Sequence, residues 1–154
     1  MKIEKLHKFP EVIKLSNYRG VVKLFDLYRQ FYNKEPDYDT SRDYVSTQLQ
    51  QGRTTILVAT DNESVTLGFI QFGSRICSCV GKVLLLNDLF VHPLWRGRGV
   101  GRALMEAALE YGKEEGASVV ELETEVNNIK AQQLYESLGY KPDTRYVTYT
   151  RGIK

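Results

Sequence analysis

The sequence predicts an α/β domain with a mixed, mostly antiparallel central sheet and helices on both faces. First, a chain of 154 residues with 42% hydrophobic residues is long enough for one domain, spanning residues 1–154, with its own core. Second, short apolar runs alternate with longer segments whose apolar residues recur at helical spacing. Third, two adjacent strands precede a strand–helix–strand unit, so an antiparallel hairpin leads into a parallel pair with a right-handed crossover.

The N-terminal part of the chain predicts a short strand and a long helix. Residues 1–10 are an N-terminal extension without an assigned role, and residues 12–15 are a strand candidate. Ser16 or Asn17 is suited to cap the helix, and Pro36 stops it. The apolar positions of this helix fall at helical spacing and are Val21, Leu24, Phe25, Tyr28, Phe31 and Tyr32.

A second, weaker helix and a β-hairpin follow. Residues 41–51 predict the helix, which Gly52 closes. Residues 54–60 are rich in β-branched side chains, which predicts a strand, and the next strand is predicted over residues 65–72. The polar residues 61–64 between the strands are typical of a turn, so the two strands are expected to pair as neighbours.

The second half of the chain alternates strands and helices. A long apolar strand is predicted over residues 82–91, and a buried strand over residues 118–124. A helix that ends near Gly116 lies between them. Its apolar positions at helical spacing are Val100, Leu104, Ala107, Ala108 and Tyr111.

The last predicted elements are a helix and a strand. Asn128 is suited to cap the helix, and Gly139 is suited to terminate it. An alternating pattern predicts a strand over residues 146–150. Because this strand would otherwise leave an exposed edge, we expect a homodimer.

The turn after the strand 82–91 carries the clearest functional signal. Residues 96–102 hold three glycines and three arginines at the start of a helix. The first N–H groups of a helix have no internal partner, and the helix dipole favours negative charge at that end. Glycine allows positive φ and a close approach of the backbone, and arginine suits phosphate. The segment therefore predicts a ligand that carries a pyrophosphate.

The turn can be compared with two nucleotide-binding motifs. Gly99-Val100-Gly101 begins a dinucleotide-binding fingerprint, and Glu121 lies about where an acidic ribose ligand is expected. Leu104 stands in place of the third glycine, however, which counts against this interpretation, as do the arginines of the loop and the hairpin before it. A P-loop is excluded because no Gly-Lys-Ser/Thr follows at the right spacing. A dinucleotide-binding oxidoreductase is therefore the least favoured of three functional classes for this sequence.

Charge, hydropathy and cysteines restrict the class of protein. The net charge of +2 is too small to predict nucleic-acid binding. No apolar window approaches the length of a membrane span, and the N-terminus carries no apolar leader. The two cysteines, Cys77 and Cys79, are separated by a single residue, and we expect neither a disulfide nor a metal site from them. We expect a cytoplasmic protein with no metal and with no nucleic-acid or membrane partner.

Two motifs resemble the GNAT superfamily of acetyl-CoA-dependent N-acetyltransferases. The family signature, Arg/Gln-x-x-Gly-x-Gly/Ala after a strand, is matched by Arg96-Gly97-Arg98-Gly99-Val100-Gly101. A second element, Asn-x-x-Ala-x-x-Leu-Tyr-x-x-x-Gly-Tyr/Phe, is matched by residues 128–140, which run from Asn128 through Ala131 and Tyr135 to Tyr140. The two elements have the usual separation, and the resemblance covers nearly the whole chain. It implies the acyl-CoA N-acyltransferase fold.

The resemblance also implies how acetyl-CoA is held. Asn128 and Ala131 would lie along the pantetheine arm, and Tyr135 would stand near the thioester sulfur and protonate the departing thiolate. The edge of the preceding strand would pair with the pantetheine amides through Leu89, Phe90 and Val91. Backbone N–H groups of the glycine turn would cradle the pyrophosphate, namely those of Arg96, Gly97, Arg98, Gly99, Val100, Gly101 and Arg102.

The implied reaction is direct attack of a primary amine on acetyl-CoA, with the developing oxyanion held by a backbone N–H near Val91. The amine must first lose a proton, because an alkyl ammonium has a pKa of roughly 10.4. In the polyamine-acetylating branch, which residues 81–91 resemble, a glutamate stands where this chain has Asn87. Asn87 cannot act as a base. Asp88, as base or cation ligand, and Glu125 are the remaining candidates.

An acidic and aromatic segment is the predicted acceptor mouth. The first helix and the loop after it line the acceptor cleft in this family. The candidate residues for binding a cationic amine are Tyr28, Tyr32, Glu35, Asp37 and Asp88. We expect a small cationic amine, such as a polyamine or a lysine-like compound, as the substrate. The alternatives are a protein lysine or N-terminal amine, and a CoA-binding regulatory module without turnover.

Overall fold

The computed structural model describes residues 1–6 and 16–153. The chain forms two compact units, Met1–Glu123 and Thr124–Lys154. The strands of the first unit are β1 (Lys2–Lys5), β2 (Thr54–Thr60), β3 (Thr66–Cys77), β4 (Gly81–Val91) and β5 (Val119–Leu122). Its helices are α1 (Ser16–Phe31), α2 (Tyr38–Gln51) and α3 (Val100–Glu114), and the second unit holds α4 (Ile129–Ser137).

The five strands form one sheet in the order β1-β2-β3-β4-β5. The pairs β1–β2, β2–β3 and β3–β4 are antiparallel, and β4–β5 is parallel. The parallel pair is connected through α3, because a parallel connection needs a crossover that returns the chain to the same end of the sheet. The predicted fold class, a mixed and mostly antiparallel sheet, is confirmed.

Helices α1 and α3 pack on opposite faces of the sheet. The ring of Phe69 in β3 stacks on Phe25 of α1, with centroids 4.0 Å apart. A Cβ on the neighbouring Gly68 would lie 3.3 Å from side-chain atoms of Val100 and Leu104 in α3. Because successive residues of a strand face opposite sides, these two contacts assign one helix to each face.

The α1 face of the sheet is the apolar core that α1 and α2 cover. It includes Ile56, Val58, Phe69 and Phe90 from the strands, each at most 5% exposed. Val45 and Leu49 of α2 belong to the same cluster. Burial of this face, at roughly 25 cal/mol per Å² of apolar surface, is the main force that holds α1 and α2 on the sheet.

A β-bulge interrupts β4 at Asn87. Gln71 of β3 is opposite Asp88, and the next residue, Phe72, is opposite Leu86. Asn87 is therefore the extra residue, and its side chain is exposed. A bulge changes which face the following side chains reach, because two residues of one strand oppose one residue of the other.

Three details differ from the sequence-based expectation. Lys2–Lys5, predicted as an extension without a role, forms edge strand β1 against β2. No strand is present in the described residues from 141 to 153, so the prediction of a strand over residues 146–150 is wrong. Helix α2 begins at Tyr38 because Asp37 caps it through Thr40. The strand candidate at residues 12–15 lies outside the described residues.

Candidate functional site

Helix α3 begins directly after the glycine turn, and no side chain caps it. Gly99 is the N-cap residue, with φ of 81°. Gly97 also has a positive φ, of 73°, and a Cβ at either glycine would meet no atom within 4 Å. The first N–H groups of the helix, those of Val100 and Gly101, have no carbonyl partner four residues earlier within the helix. An anion at this end would satisfy them and would also gain from the helix dipole.

The arginines of the turn add positive charge at the surface. The Arg98 guanidinium carbon lies 5.0 Å from the ring centroid of Trp95, which orders this cation beside the turn. Arg102 is 3.8 Å from Glu106 one helical turn later, and both side chains are largely exposed. Such exposed pairs are weak, so the Arg102 charge can be shared with an anion.

Beyond Leu86, the edge of β4 opposite β3 pairs with no strand among the described residues, and it is called the free edge below. The register of β4 with β5 ends at the pair Leu86–Leu122, although β4 continues to Val91. His92 N–H donates to the Leu67 carbonyl at 2.9 Å. His92 and Leu67 are therefore a hydrogen-bonded pair, next to the opposed pair Val91–Gly68. Opposed pairs of an antiparallel ladder alternate, so Phe90 turns its backbone polar groups to β3, whereas Leu89 and Val91 turn theirs to the free edge.

The Arg96 side chain donates a hydrogen bond to one of these backbone groups. Its Nε donates to the Val91 carbonyl at 3.0 Å, and its guanidinium carbon lies 5.3 Å from the Phe90 ring centroid. The Arg96 backbone N–H donates to the Pro93 carbonyl at 3.4 Å. The edge groups left for an extended ligand are therefore the Val91 N–H and the Leu89 N–H and carbonyl.

Asp88 lies on the α1 face and is half-buried among tyrosines. The Tyr28 hydroxyl donates a hydrogen bond to its carboxylate, and the Tyr28 ring packs edge-on against Phe90 with centroids 5.7 Å apart. Burial raises the pKa of Asp88 above its ordinary value, although the hydrogen bond from Tyr28 acts in the opposite direction. Burial and the nearby Asp88 carboxylate also raise the pKa of Tyr28. A carboxylate in this setting binds a cation or accepts a proton readily.

Two further residues join this cluster, and sequence reasoning missed both. Gln71 lies opposite Asp88 across β3–β4, on the same face, and is 1% exposed. Its Nε2 donates to the Tyr44 hydroxyl at 2.9 Å. Burial and Asp88 raise the pKa of Tyr44. The signal that could have identified Gln71 is a lone amide inside the apolar run of β3.

The predicted acceptor-mouth residues divide into two groups. The Tyr28 and Tyr32 rings are in edge-on contact, with centroids 5.2 Å apart, so Tyr32 continues the tyrosine cluster to the surface. Both carboxylate oxygens of Asp37 accept hydrogen bonds from Thr40, which is a helix-capping arrangement and lowers the pKa of Asp37. Glu35 is exposed. Asp37 is therefore engaged in holding α2, and Glu35 remains available to attract a cation at the surface.

The second sequence motif lies in the second unit. Asn128 caps α4 by accepting from the Ala131 N–H at 3.4 Å, and its Nδ2 donates to the Thr124 hydroxyl at 3.4 Å. The half-buried Tyr135 ring lies 6.3 Å from that of Tyr140. Glu125 is exposed. The motif therefore forms a capped helix with its tyrosine beside a second aromatic ring.

Other candidate groups have structural roles or no ligand arrangement. Nδ1 of His92 accepts from the Leu94 N–H at 3.3 Å, so it stabilises the turn after β4. Cys77 ends β3 and Cys79 lies in the following turn, and both are free thiols. Within the described residues, no group of three potential ligand side chains could hold a metal ion. No helix in that part of the chain is long and apolar enough to cross a membrane.

Comparisons with known proteins identify the family of the chain. Residues 21–140 match the model of the acetyltransferase (GNAT) family. An uncharacterized N-acetyltransferase of Bacillus subtilis, YhfO, is 36% identical over 141 residues, covering 91% of this chain and 94% of that protein. An aminoglycoside N(6')-acetyltransferase of Stenotrophomonas maltophilia is 26% identical over 120 residues, covering 75% of this chain and 78% of the relative. The crystal structure described as a probable acetyltransferase superposes with a TM-score of 0.88 at 28% identity, covering 100% of this chain and 99% of that one.

Proposed function

Because the chain belongs to the GNAT acetyltransferase family, and is therefore an acetyl-CoA-dependent N-acetyltransferase, we propose that it acetylates the primary amine of a small cationic compound. A polyamine or a lysine-like compound is the first choice. The observation that carries the proposal is the Asp88 carboxylate, half-buried among tyrosines one residue before the free edge of β4. This arrangement suits an ammonium group, since carboxylate and aromatic rings both attract cations.

The acetyl-CoA half of the site is argued from the turn and the strand edge. A pyrophosphate fits the uncapped N-terminus of α3, where Gly97 and Gly99 hold positive φ and no side chain competes for the N–H groups. A chain that carries amides fits the free edge at Leu89 and Val91. Bound there, acetyl-CoA supplies an activated acetyl group. The Val91 N–H is the donor we assign to the charge that develops on the acyl oxygen.

Asp88 is the residue we assign to the amine. An alkyl ammonium is protonated at neutral pH and has to lose a proton before its nitrogen can attack. Burial raises the pKa of Asp88, which makes its carboxylate a stronger base than an exposed aspartate. The hydrogen bond from Tyr28 fixes the orientation of that carboxylate. Asn87, which replaces the glutamate of the polyamine-acetylating branch, is exposed at the bulge and takes no part in this step.

Tyr135 is the residue we assign to the departing sulfur. Its motif, with Asn128 and Ala131 in register, supports this role, and the capping contact of Asn128 supports the local helix that carries the tyrosine. A tyrosine hydroxyl can donate a proton to a thiolate as the carbon–sulfur bond breaks.

The test is a thiol-release assay with acetyl-CoA and a panel of amines. The panel contains spermidine, putrescine, lysine and its D-isomer, an aminoglycoside and a histone-tail peptide. The Tyr135→Phe variant is compared with wild type, and Tyr149→Phe, an exposed tyrosine of the same unit, is the matched control. Release with a small amine that falls about 100-fold or more in Tyr135→Phe, and not in Tyr149→Phe, supports the proposal.

Two results would contradict the proposal in different ways. Release with the peptide alone would assign the protein to the acetylation of protein lysines or N-terminal amines. Clear stabilisation by acetyl-CoA without release for any amine would favour a CoA-binding regulatory module, and Asn87 would then mark the loss of the base. The aminoglycoside in the panel is included because of the relative from Stenotrophomonas maltophilia.

Location and assembly belong to the same proposal. We assign the protein to the cytoplasm, where its acetyl-CoA is made available and where free thiols such as Cys77 and Cys79 stay reduced. A homodimer is supported by the exposed apolar side chains of the C-terminal segment, among them Tyr146 at 74% and Tyr149 at 91% exposure. Light scattering after size-exclusion chromatography measures the dimer directly.

A further inference from the structure

Gln71 is a buried amide with one unsatisfied atom. It is 1% exposed, and its Oε1 has no hydrogen-bond partner among the described residues. Its Nε2 is fixed by the Tyr44 hydroxyl at 2.9 Å. Buried polar atoms nearly always have a partner, because burying one without a hydrogen bond is unfavourable. An acceptor of this kind on a central strand therefore points to a donor that arrives with a ligand.

The surroundings of Gln71 indicate which ligand supplies that donor. On one side in the sheet Gln71 is opposite Ile56 of β2, and on the other side it is opposite Asp88 of β4. Directly opposed residues share a face, with Cβ atoms roughly 5 Å apart. The Gln71 and Asp88 side chains therefore start from neighbouring positions on the α1 face. Two hydroxyls of this face already have partners: that of Tyr28 contacts Asp88, and that of Tyr44 accepts from Gln71.

We propose that Gln71 Oε1 and the Asp88 carboxylate together hold the reacting nitrogen, and that Gln71 restricts the enzyme to primary amines. This inference rests on the proposed function and names a further residue for it. The ammonium donates N–H groups to both oxygens. After one proton has passed to Asp88, the neutral amine keeps one N–H on Gln71 Oε1, and its lone pair is oriented away from that oxygen.

The chemistry balances for a primary amine. The nitrogen forms a bond to the acetyl carbon while the carbon–sulfur bond breaks. Of the two protons that the ammonium loses, one passes through Asp88 to solvent and the other ends on the sulfur. The product amide retains one N–H. A secondary amine has only one N–H after it loses its first proton, so it cannot both satisfy Gln71 and release a proton as the bond forms.

The selection has a physical magnitude. A substrate that leaves the buried Gln71 oxygen unpaired loses that hydrogen bond in the reacting complex, which corresponds to roughly a 5- to 150-fold lower kcat/KM. Replacing Gln71 by methionine removes the acceptor at nearly constant volume. Activity on primary amines should then fall, and the enzyme should no longer discriminate between primary and secondary amines.

The experiment compares each primary amine of the panel with its N-methyl analogue, for example putrescine with N,N'-dimethylputrescine. The variants are Gln71→Met, Gln71→Glu, which keeps an acceptor oxygen, and Gln50→Met, which makes the same change at an exposed position of α2. For Gln71→Met we expect kcat/KM on the primary amine to fall about 10-fold or more. The ratio of kcat/KM for the primary amine to that for its N-methyl analogue should then approach 1. We expect Gln71→Glu and Gln50→Met to keep the wild-type preference, and KM for acetyl-CoA to remain unchanged in all three.

The outcomes separate this inference from the proposed function. If wild type acetylates a small amine and Gln71→Met keeps the preference for the primary amine, the role of Gln71 is refuted and the proposed function stands. If wild type acetylates no amine of the panel, both are refuted. Should Gln71→Met fail to fold, Tyr44→Phe and Gln71→Glu decide, because Tyr44→Phe releases the Gln71 amide and Gln71→Glu keeps an acceptor oxygen. The inference is supported if the preference for the primary amine is weakened in Tyr44→Phe and retained in Gln71→Glu. It is overturned if the preference is retained in Tyr44→Phe and weakened in Gln71→Glu.

Discussion

Replacing Gly97 by alanine isolates the contribution of the glycine turn to acetyl-CoA binding. Gly97 has φ of 73°, and a Cβ there would meet no atom within 4 Å. The substitution therefore causes no clash, and its only direct cost is conformational, about 1–2 kcal/mol for an L residue in the left-handed region. In a chain of 154 residues this corresponds to a fall in Tm of about 2–8 °C.

The effect on the ligand is separate from that cost. That conformational cost is relieved when residue 97 moves towards negative φ, and this movement rotates the peptide groups on either side of it and turns the N–H of Arg98 away from the anion position we assign to the turn. A hydrogen bond to a charged group contributes about 1.5–3 kcal/mol. Loss of one such bond raises Kd for acetyl-CoA roughly 10- to 150-fold.

Gly116 provides a matched control at the end of α3. Its φ is 71°, it is exposed, and a Cβ there also meets no atom within 4 Å. Gly116→Ala should therefore lower Tm by the same amount as Gly97→Ala and leave the Kd for acetyl-CoA unchanged. Any difference in affinity between the two variants then belongs to the turn and not to general destabilisation.

The assay uses the fluorescence of Trp95, the one tryptophan of the chain, in a titration with acetyl-CoA. Trp95 lies beside the turn, with the Arg98 guanidinium carbon 5.0 Å from its ring centroid, so it reports on this site. Thermal unfolding of each variant without ligand gives the conformational cost. Wild-type affinity in Gly97→Ala, or equal weakening in Gly97→Ala and Gly116→Ala, would refute the assignment of the pyrophosphate to this turn.

Two more substitutions test single residues of the two units. Asp88→Asn should lower kcat about 100-fold or more with little change in KM for acetyl-CoA. In wild type, activity should fall as pH decreases through the raised pKa of Asp88, at a higher pH than the ordinary 3.8. Because a raised pKa in the folded state means that stability falls as pH rises through that window, Asp88→Asn should unfold at an equal or higher temperature than wild type at pH 7. Asn128→Ala removes the α4 cap and should lower the stability of that helix by about 1 kcal/mol, whereas Asn128→Asp keeps it, as hydrogen exchange of α4 amides will measure. Equal protection in both Asn128 variants would show that the cap contributes nothing.

Much of the fold follows from local patterns that the sequence states directly. Strand β2 lies at Thr54–Thr60, as its β-branched content predicts, and α3 begins at Val100, where the glycine turn predicts a helix start. The two errors, one strand missed and one wrongly predicted, have different causes. Lys2–Lys5 has alternate charged residues and becomes a strand only because it pairs with β2. The segment 146–150 has a strand pattern, but in the structure it forms no ladder, and a strand needs a partner to exist.

The candidate site also contains residues that local patterns predict and residues that only the tertiary structure brings together. The turn residues were predictable because a backbone anion site needs particular glycines at particular spacing, whereas the role of the β4 edge was implied by the resemblance to the GNAT family. Gln71 and Tyr44 were not, because their importance arises from a contact between β3 and α2 that no local pattern encodes. Asp37 was predicted to bind substrate from its charge and from its place in the loop after the first helix, and in the structure its carboxylate caps α2 through Thr40. Charge identifies a candidate, but the partners of the carboxylate decide how it is used.

The bulge at Asn87 explains why the one carboxylate of β4 can serve the acceptor. Leu84 faces α3, where its Cδ2 would lie 3.3 Å from a Cβ at Gly112, and regular alternation would place Leu86 and Asp88 on that same face. Asp88 would then be buried against the apolar side of α3 with no partner. The extra residue reverses the alternation, so that Asp88 instead lies opposite Gln71 on the face that carries Tyr28. Deleting Asn87 should therefore abolish amine acetylation while leaving the residues of the glycine turn in place.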